Sequence, residues 1–77
     1  MSIKVHYFAS LKESIGRSKD ELIFTEPLTV YDVWQQANPD KDRPNQILAA
    51  VNMDYADWDN PVSDGDVVAF FPPVTGG

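Results

Sequence analysis

The stretch Asp64-Gly65-Asp66-Val67-Val68-Ala69-Phe70-Phe71-Pro72-Pro73-Val74-Thr75-Gly76-Gly77 decides the fold and most of what surrounds it. Asp64-Gly65 is turn chemistry. Val67–Phe71 is an unbroken apolar run of strand length, with Val67, Ala69 and Phe71 on one side and Val68 and Phe70 on the other. A strand apolar on both faces needs cover on both. Pro72-Pro73 then favours polyproline II, which carries the chain away from a sheet at about 3.1 Å per residue. Extended throughout, the stretch from Pro72 to Gly77 reaches roughly 18 Å.

Working outward, Ile47–Val51 is a second apolar strand, and Tyr55–Trp58 is expected to add a short one before the Asp59-Asn60-Pro61 turn. Near the start, Ile3, Val5 and Tyr7 alternate with Lys4, His6 and Phe8, as in a half-buried strand. Ser10 and Glu13 fit a capping box for a short helix carrying Leu11 and Ile15, with Gly16 as its stop. Leu22–Thr25 reads as a strand ended by Pro27. Thr29 is a good N-cap, and Val30, Val33, Trp34 and Ala37 form one apolar stripe of a main helix closed by Pro39. Residues 38–45 are polar and loop-like. The order predicts an α+β domain with a mixed sheet. One main and one short helix cannot cover both faces of that sheet, so an apolar surface is expected to remain for another protein.

The chain has 77 residues, 43% of them hydrophobic, which fits one globular domain. It has no cysteine, which excludes disulfides, thiolate metal sites, a cysteine nucleophile and a persulfide carried on the protein. No apolar stretch approaches bilayer length and the start lacks a signal-peptide core, so a cytoplasmic location is expected. Charge is uneven. All six Lys and Arg lie in residues 1–43, whereas residues 44–77 hold five aspartates and no base. Such a surface repels nucleic acid and anionic membrane and draws a basic protein partner toward the C-terminal half.

The side chains offer almost no chemistry. His6 is the only histidine, with no nucleophile motif to serve, and reads as a solvated or interface residue. Asp54, Asp57, Asp59, Asp64 and Asp66 thread no calcium loop, so no metal site is expected. The glycines form no phosphate loop, and Trp34 and Trp58 read as core or rim. What remains is the tail. Gly76 and Gly77 make a tip without side chains that fits a narrow channel, and it presents one functional group, the Gly77 carboxylate. Ionised at neutral pH, that group is a poor electrophile and needs activation, for example as an acyl-adenylate, before acyl chemistry.

Leu48-Ala49-Ala50-Val51-Asn52, the Asp64–Gly77 block, the opening Ile3–Ala9 and the Leu11–Gly16 segment together closely resemble the small, sulfur-carrier subunits of molybdopterin synthase. The likeness runs the whole length and is loosest at residues 38–46 and 53–58. It implies a ubiquitin-like β-grasp domain over residues 1–71 and a projecting Gly-Gly tail over 72–77. It also implies a non-catalytic sulfur donor. A ubiquitin-activating-like adenylyltransferase uses ATP to adenylate Gly77, and a persulfide donor converts it to a thiocarboxylate. The tail then enters the large catalytic subunit and delivers sulfur to cyclic pyranopterin monophosphate, in a heterotetramer of two small and two large subunits. On this likeness Gly76, Thr75 and Val74 insert with Gly77, while Phe8, Phe71 and Pro73 are the docking candidates. No bound cofactor is implied.

Two other readings use the same tail. One is a ubiquitin-like modifier joined to target lysines. The other is the sulfur carrier of thiamine thiazole synthesis, whose family lacks the Phe-Phe-Pro-Pro-Val-Thr lead-in found here. A plain interaction domain with an inert end is a third.

Overall fold

The structure, a computed structural model, describes residues 1–41 and 46–73. In chain order it builds β1 (Ser2–Tyr7), α1 (Ala9–Ile15), β2 (Lys19–Ile23), β3 (Leu28–Thr29), α2 (Val30–Ala37), β4 (Leu48–Val51), β5 (Asp54–Ala56), β6 (Pro61–Val62) and β7 (Val67–Phe71). Five strands form one sheet in the order β2-β1-β7-β4-β5, and β3 and β6 pair in a small second sheet. β1 and β7 are parallel, while β1–β2, β4–β7 and β4–β5 are antiparallel. This mixed sheet grasping a main helix is the ubiquitin-like β-grasp arrangement, as expected.

β7 is the centre of the sheet, which explains its all-apolar composition. Val68 and Phe70 point to the covered side and are fully buried. There they join Ile3, Val5 and Tyr7 of β1, Val30, Val33 and Trp34 of α2, and Leu11 of α1 in one core. Phe70 is its hub, with its ring centroid 5.1 Å from Trp34 in an edge-on contact and 5.6 Å from Trp58 in a stacked one.

α2 starts where the sequence indicates. Thr29 Oγ1 accepts from the Asp32 N–H at 3.2 Å, and Asp32 Oδ2 accepts from the Thr29 N–H at 2.9 Å, a complete capping box. α1 does not follow the expectation. Ser10 lies inside the helix and the N-cap position is Phe8, with no side-chain capping bond. The sheet decides this. The Phe8 N–H donates to the Phe70 carbonyl at 3.2 Å, and the Phe8 carbonyl accepts from Lys12 at 3.3 Å, so the first turn closes before Ser10 can cap it. Gly16 ends α1 as expected, in the left-handed region at φ 91°.

Pairing also moves β2 forward, to Lys19–Ile23 instead of Leu22–Thr25, because the β1 register sets Ser2 opposite Ile23 and His6 opposite Lys19. β5 is Asp54–Ala56 instead of Tyr55–Trp58, since a two-residue turn at Asn52-Met53 brings it back on β4 at once. The β3–β6 pair, Leu28 against Val62 and Thr29 against Pro61, was not anticipated. Among the described residues, no helix is long and apolar enough to cross a membrane.

A polar cluster, buried at Asn38 and open to solvent at Arg17, ties α2 to the loop after α1. Asn38 Nδ2 donates to the Tyr7 hydroxyl at 3.1 Å, and that hydroxyl donates to Asp20 Oδ2 at 2.9 Å. Arg17 donates to Asp20 at 2.6 Å through Nε, and through Nη2 to the Ala37 carbonyl at 2.8 Å and to Asn38 Oδ1 at 3.0 Å. Burial pushes the Tyr7 phenol up to about 12.

Candidate functional site

The register of the sheet fixes what lies on its other face. His6 pairs with Ala69, Ala69 with Ala50, and Ala50 with Tyr55, so these four form one row across β1, β7, β4 and β5. Val67 and Phe71 flank Ala69 along β7 on the same side. Among the described residues, the buried core and the stripe of α2 lie on the opposite side, which leaves this face open. The result is an apolar hollow of about 510 Å³, whose lining also includes Phe8 and Met53.

Side-chain size explains the shape. Two alanines form the floor and aromatic rings stand at the rim. His6 and Phe8 stack with centroids 6.2 Å apart, and Tyr55 and Phe71 meet at 5.8 Å. Phe8 is 50% exposed, Tyr55 78% and Met53 98%, a solvation cost a free domain has no reason to carry unless something covers it.

Of the expected docking residues, Phe8 and Phe71 are brought together on this face. Pro73 is exposed beyond the end of β7 and does not line the hollow. His6, read as solvated or at an interface, lines it. Sequence reasoning missed Met53, Tyr55 and Ala50. The signal for them was Asn52 directly after an apolar run, since Asn favours a tight left-handed turn that folds Tyr55 back opposite Ala50. Val74, Thr75, Gly76 and Gly77 lie outside the described residues. What is fixed is their point of departure: β7 ends at Phe71, on the rim of the hollow.

The carboxylates do not converge. Asp66 is occupied by Asn52 and by the Ser63 N–H, and Asp54, Asp57, Asp59 and Asp64 are exposed. Among the described residues no group of three His, Asp or Glu side chains could hold a metal ion.

The ThiS family profile matches residues 5–77. The molybdopterin synthase sulfur carrier subunit of Escherichia coli K12 is 42% identical, over 97% of this chain and 99% of its own length. SAMP1 of Haloferax volcanii, a small archaeal modifier protein, superposes with a TM-score of 0.78 at 27% identity, covering 100% of both chains. A chain in the complex of subunits 1 and 2 of the molybdopterin-converting factor from Helicobacter pylori superposes with a TM-score of 0.69 at 22% identity, again over 100% of both, and shows the shared fold.

Proposed function

This chain belongs to the ThiS family, and on that premise we propose that it is the sulfur carrier of molybdopterin synthase, with Gly77 as the carrying residue. The observation that supports this most directly is the double position of Phe71: it lines the uncovered face and is the last strand residue before Pro72-Pro73 and the Gly76-Gly77 tip. The folded body, residues 1–71, is the handle, and residues 72–77 are the working end.

The chemistry follows from the carboxylate. One oxygen of the Gly77 carboxylate attacks the α-phosphorus of ATP on a ubiquitin-activating-like adenylyltransferase, and pyrophosphate leaves. The terminal sulfur of a persulfide donor attacks the resulting acyl-AMP and expels AMP. A second thiol then cleaves the acyl disulfide, leaving a thiocarboxylate on Gly77 and a disulfide on the thiol side. In the large catalytic subunit the thiocarboxylate sulfur bonds to a side-chain carbon of the pterin precursor, cyclic pyranopterin monophosphate, and displaces the oxygen substituent which that carbon carried. Water then releases the Gly77 carboxylate and leaves the sulfur behind, and two such deliveries make a dithiolene.

Docking supplies the specificity, so the tip needs no side chains. The face around Phe8 and Phe71, with Pro73 beside it, meets the large subunit, and Val74, Thr75 and Gly76 line its channel with Gly77 at the end. Removing water from this apolar face contributes about 25 cal/mol per Å² buried. The aspartates of residues 44–77 steer the encounter with a basic partner. Acid–base groups come from the partner, the chain binds no cofactor of its own, and the pair works in the cytoplasm as two small and two large subunits. The Helicobacter pylori complex of subunits 1 and 2 of the molybdopterin-converting factor supports such a partnership.

Deleting Gly77 tests the proposal. The truncated chain should fold and bind the large subunit yet support no molybdopterin formation; continued formation would overturn the assignment. A modifier role through the same glycine is favoured by the likeness to SAMP1, and mass adducts on target lysines would reveal it.

A further inference from the structure

Met53 occupies a position that costs the isolated domain twice. It is the second residue of the two-residue turn joining β4 to β5, with Asn52 at φ 51° and Met53 at φ 72°. Both residues are in the left-handed region, which such a turn demands and which Gly or Asn fills at least cost. An unbranched apolar side chain has no local reason to be there, because its Cβ crowds the backbone in this conformation. The second cost is solvation: Met53 is 98% exposed.

The conformation is held in place by its surroundings. The Asn52 N–H donates to the Val67 carbonyl at 2.8 Å, and the Val67 N–H donates to Asn52 Oδ1 at 3.0 Å. Asn52 Nδ2 also donates to Asp66 Oδ1 at 2.9 Å. Three bonds clamp the turn to the start of β7, so Met53 is presented from a rigid support. Strain that the structure over-determines points to function.

Its place on the face gives that function a direction. Met53 rims the hollow at the Val67 end, while Phe71 and the tail leave from the other end of β7, about 13 Å away at strand rise. Contact at Phe8 and Phe71 alone would let the domain pivot about the tail. A second contact at Met53 fixes its tilt and so the line along which the tail enters a channel. Asp54 follows Met53 and Asp66 is bound to the same turn, whereas Lys4, across from Val67 on β1, stands opposite Glu21 on β2.

We propose that Met53 is a docking anchor: the strained Asn52-Met53 turn holds its thioether side chain out to fill an apolar notch, edged by basic side chains, on the large catalytic subunit. This rests on the docking reading given above. A flexible, polarisable side chain suits a notch of irregular shape.

The test is binding of the purified full-length chain to the large catalytic subunit, with thermal melting of each variant alongside. Met53→Gly and Met53→Asn both suit the turn, so their melting midpoints should equal or exceed the parent's. Their affinity should fall at least about tenfold, more than most interface residues contribute, while Met53→Leu stays within about threefold. Phe71→Ala serves as the reference for the face as a whole. If Met53→Gly and Met53→Asn bind like the parent while Phe71→Ala binds weakly, the anchor is wrong and the docking face stands. If all of them, Phe71→Ala included, bind like the parent, the docking face is wrong and the anchor falls with it.

Discussion

Ala69 of β7 and Ala50 of β4 stand directly opposite each other at the centre of the sheet, and this pair of small side chains is the floor of the open apolar hollow. The aromatic rim around a methyl floor is what makes the face concave. Ala69→Leu therefore fills the hollow without touching the core on the other side. Binding to the large subunit should weaken by about tenfold, while the unfolding free energy from urea melts changes by less than about 1 kcal/mol. Titration calorimetry with parallel urea melts checks both.

Phe70 and Phe71 are neighbours with opposite duties. Phe70 is fully buried against Trp34, Tyr7 and Trp58, so Phe70→Ala should cost about 3–5 kcal/mol, enough to unfold a domain this small at modest urea. Phe71→Ala should leave stability nearly intact and cost partner affinity instead. If the two variants show the same balance of effects, the assignment of faces is wrong.

The cap of α2 gives a third expectation. Thr29→Ala removes the acceptor for the Asp32 N–H and should destabilise the domain by about 1 kcal/mol. Ser10→Ala, by contrast, should be nearly neutral, because Ser10 is inside α1 and caps nothing. Urea melts of the two variants decide it.

Alkaline pH probes the Tyr7 cluster. Burial raises the phenol from 10.0 to about 12, so folding holds it in its neutral form. The stability this contributes is fully present below pH 10, where folded and unfolded chains are both protonated, and it is lost as pH rises from 10 through 12. Tyr7→Phe should be less stable at neutral pH yet lose less stability across that window. An equal slope in both proteins would contradict the placement of Tyr7.

Steering is testable by salt. Lysine at Asp54, Asp57 and Asp59 together should slow association with the large subunit at low ionic strength, and the difference should shrink as screening shortens to about 10 Å near 0.1 M salt. Stopped-flow rates that are equal at low salt would place these exposed acids away from the partner.

The sequence carried the parts of this fold that depend on local chemistry. The Thr29 cap, the Gly16 stop and the two-sided apolar pattern of Val67–Phe71 are legible because propensity and burial agree there. The misread segments are those where pairing overrules local preference. The Ser10 box lost to a turn that Phe8, tethered to Phe70, had already closed. Lys19-Asp20-Glu21 became strand because β1 lay beside it. The β3–β6 pair is two residues long on each side, too short for any periodicity. Half of the candidate face was visible in Phe8 and Phe71, but Met53 and Tyr55 depend on a left-handed turn that only Asn52 hinted at.

The central claim is that Gly77 carries sulfur. Its most direct test is intact mass spectrometry of the chain after incubation with ATP, the activating enzyme and a persulfide donor, followed by fragmentation to locate any change. One oxygen should be replaced by sulfur, confined to Gly77 and dependent on ATP. A chain of unchanged mass after incubation with ATP and both enzymes, or sulfur found at any other residue, would contradict the claim.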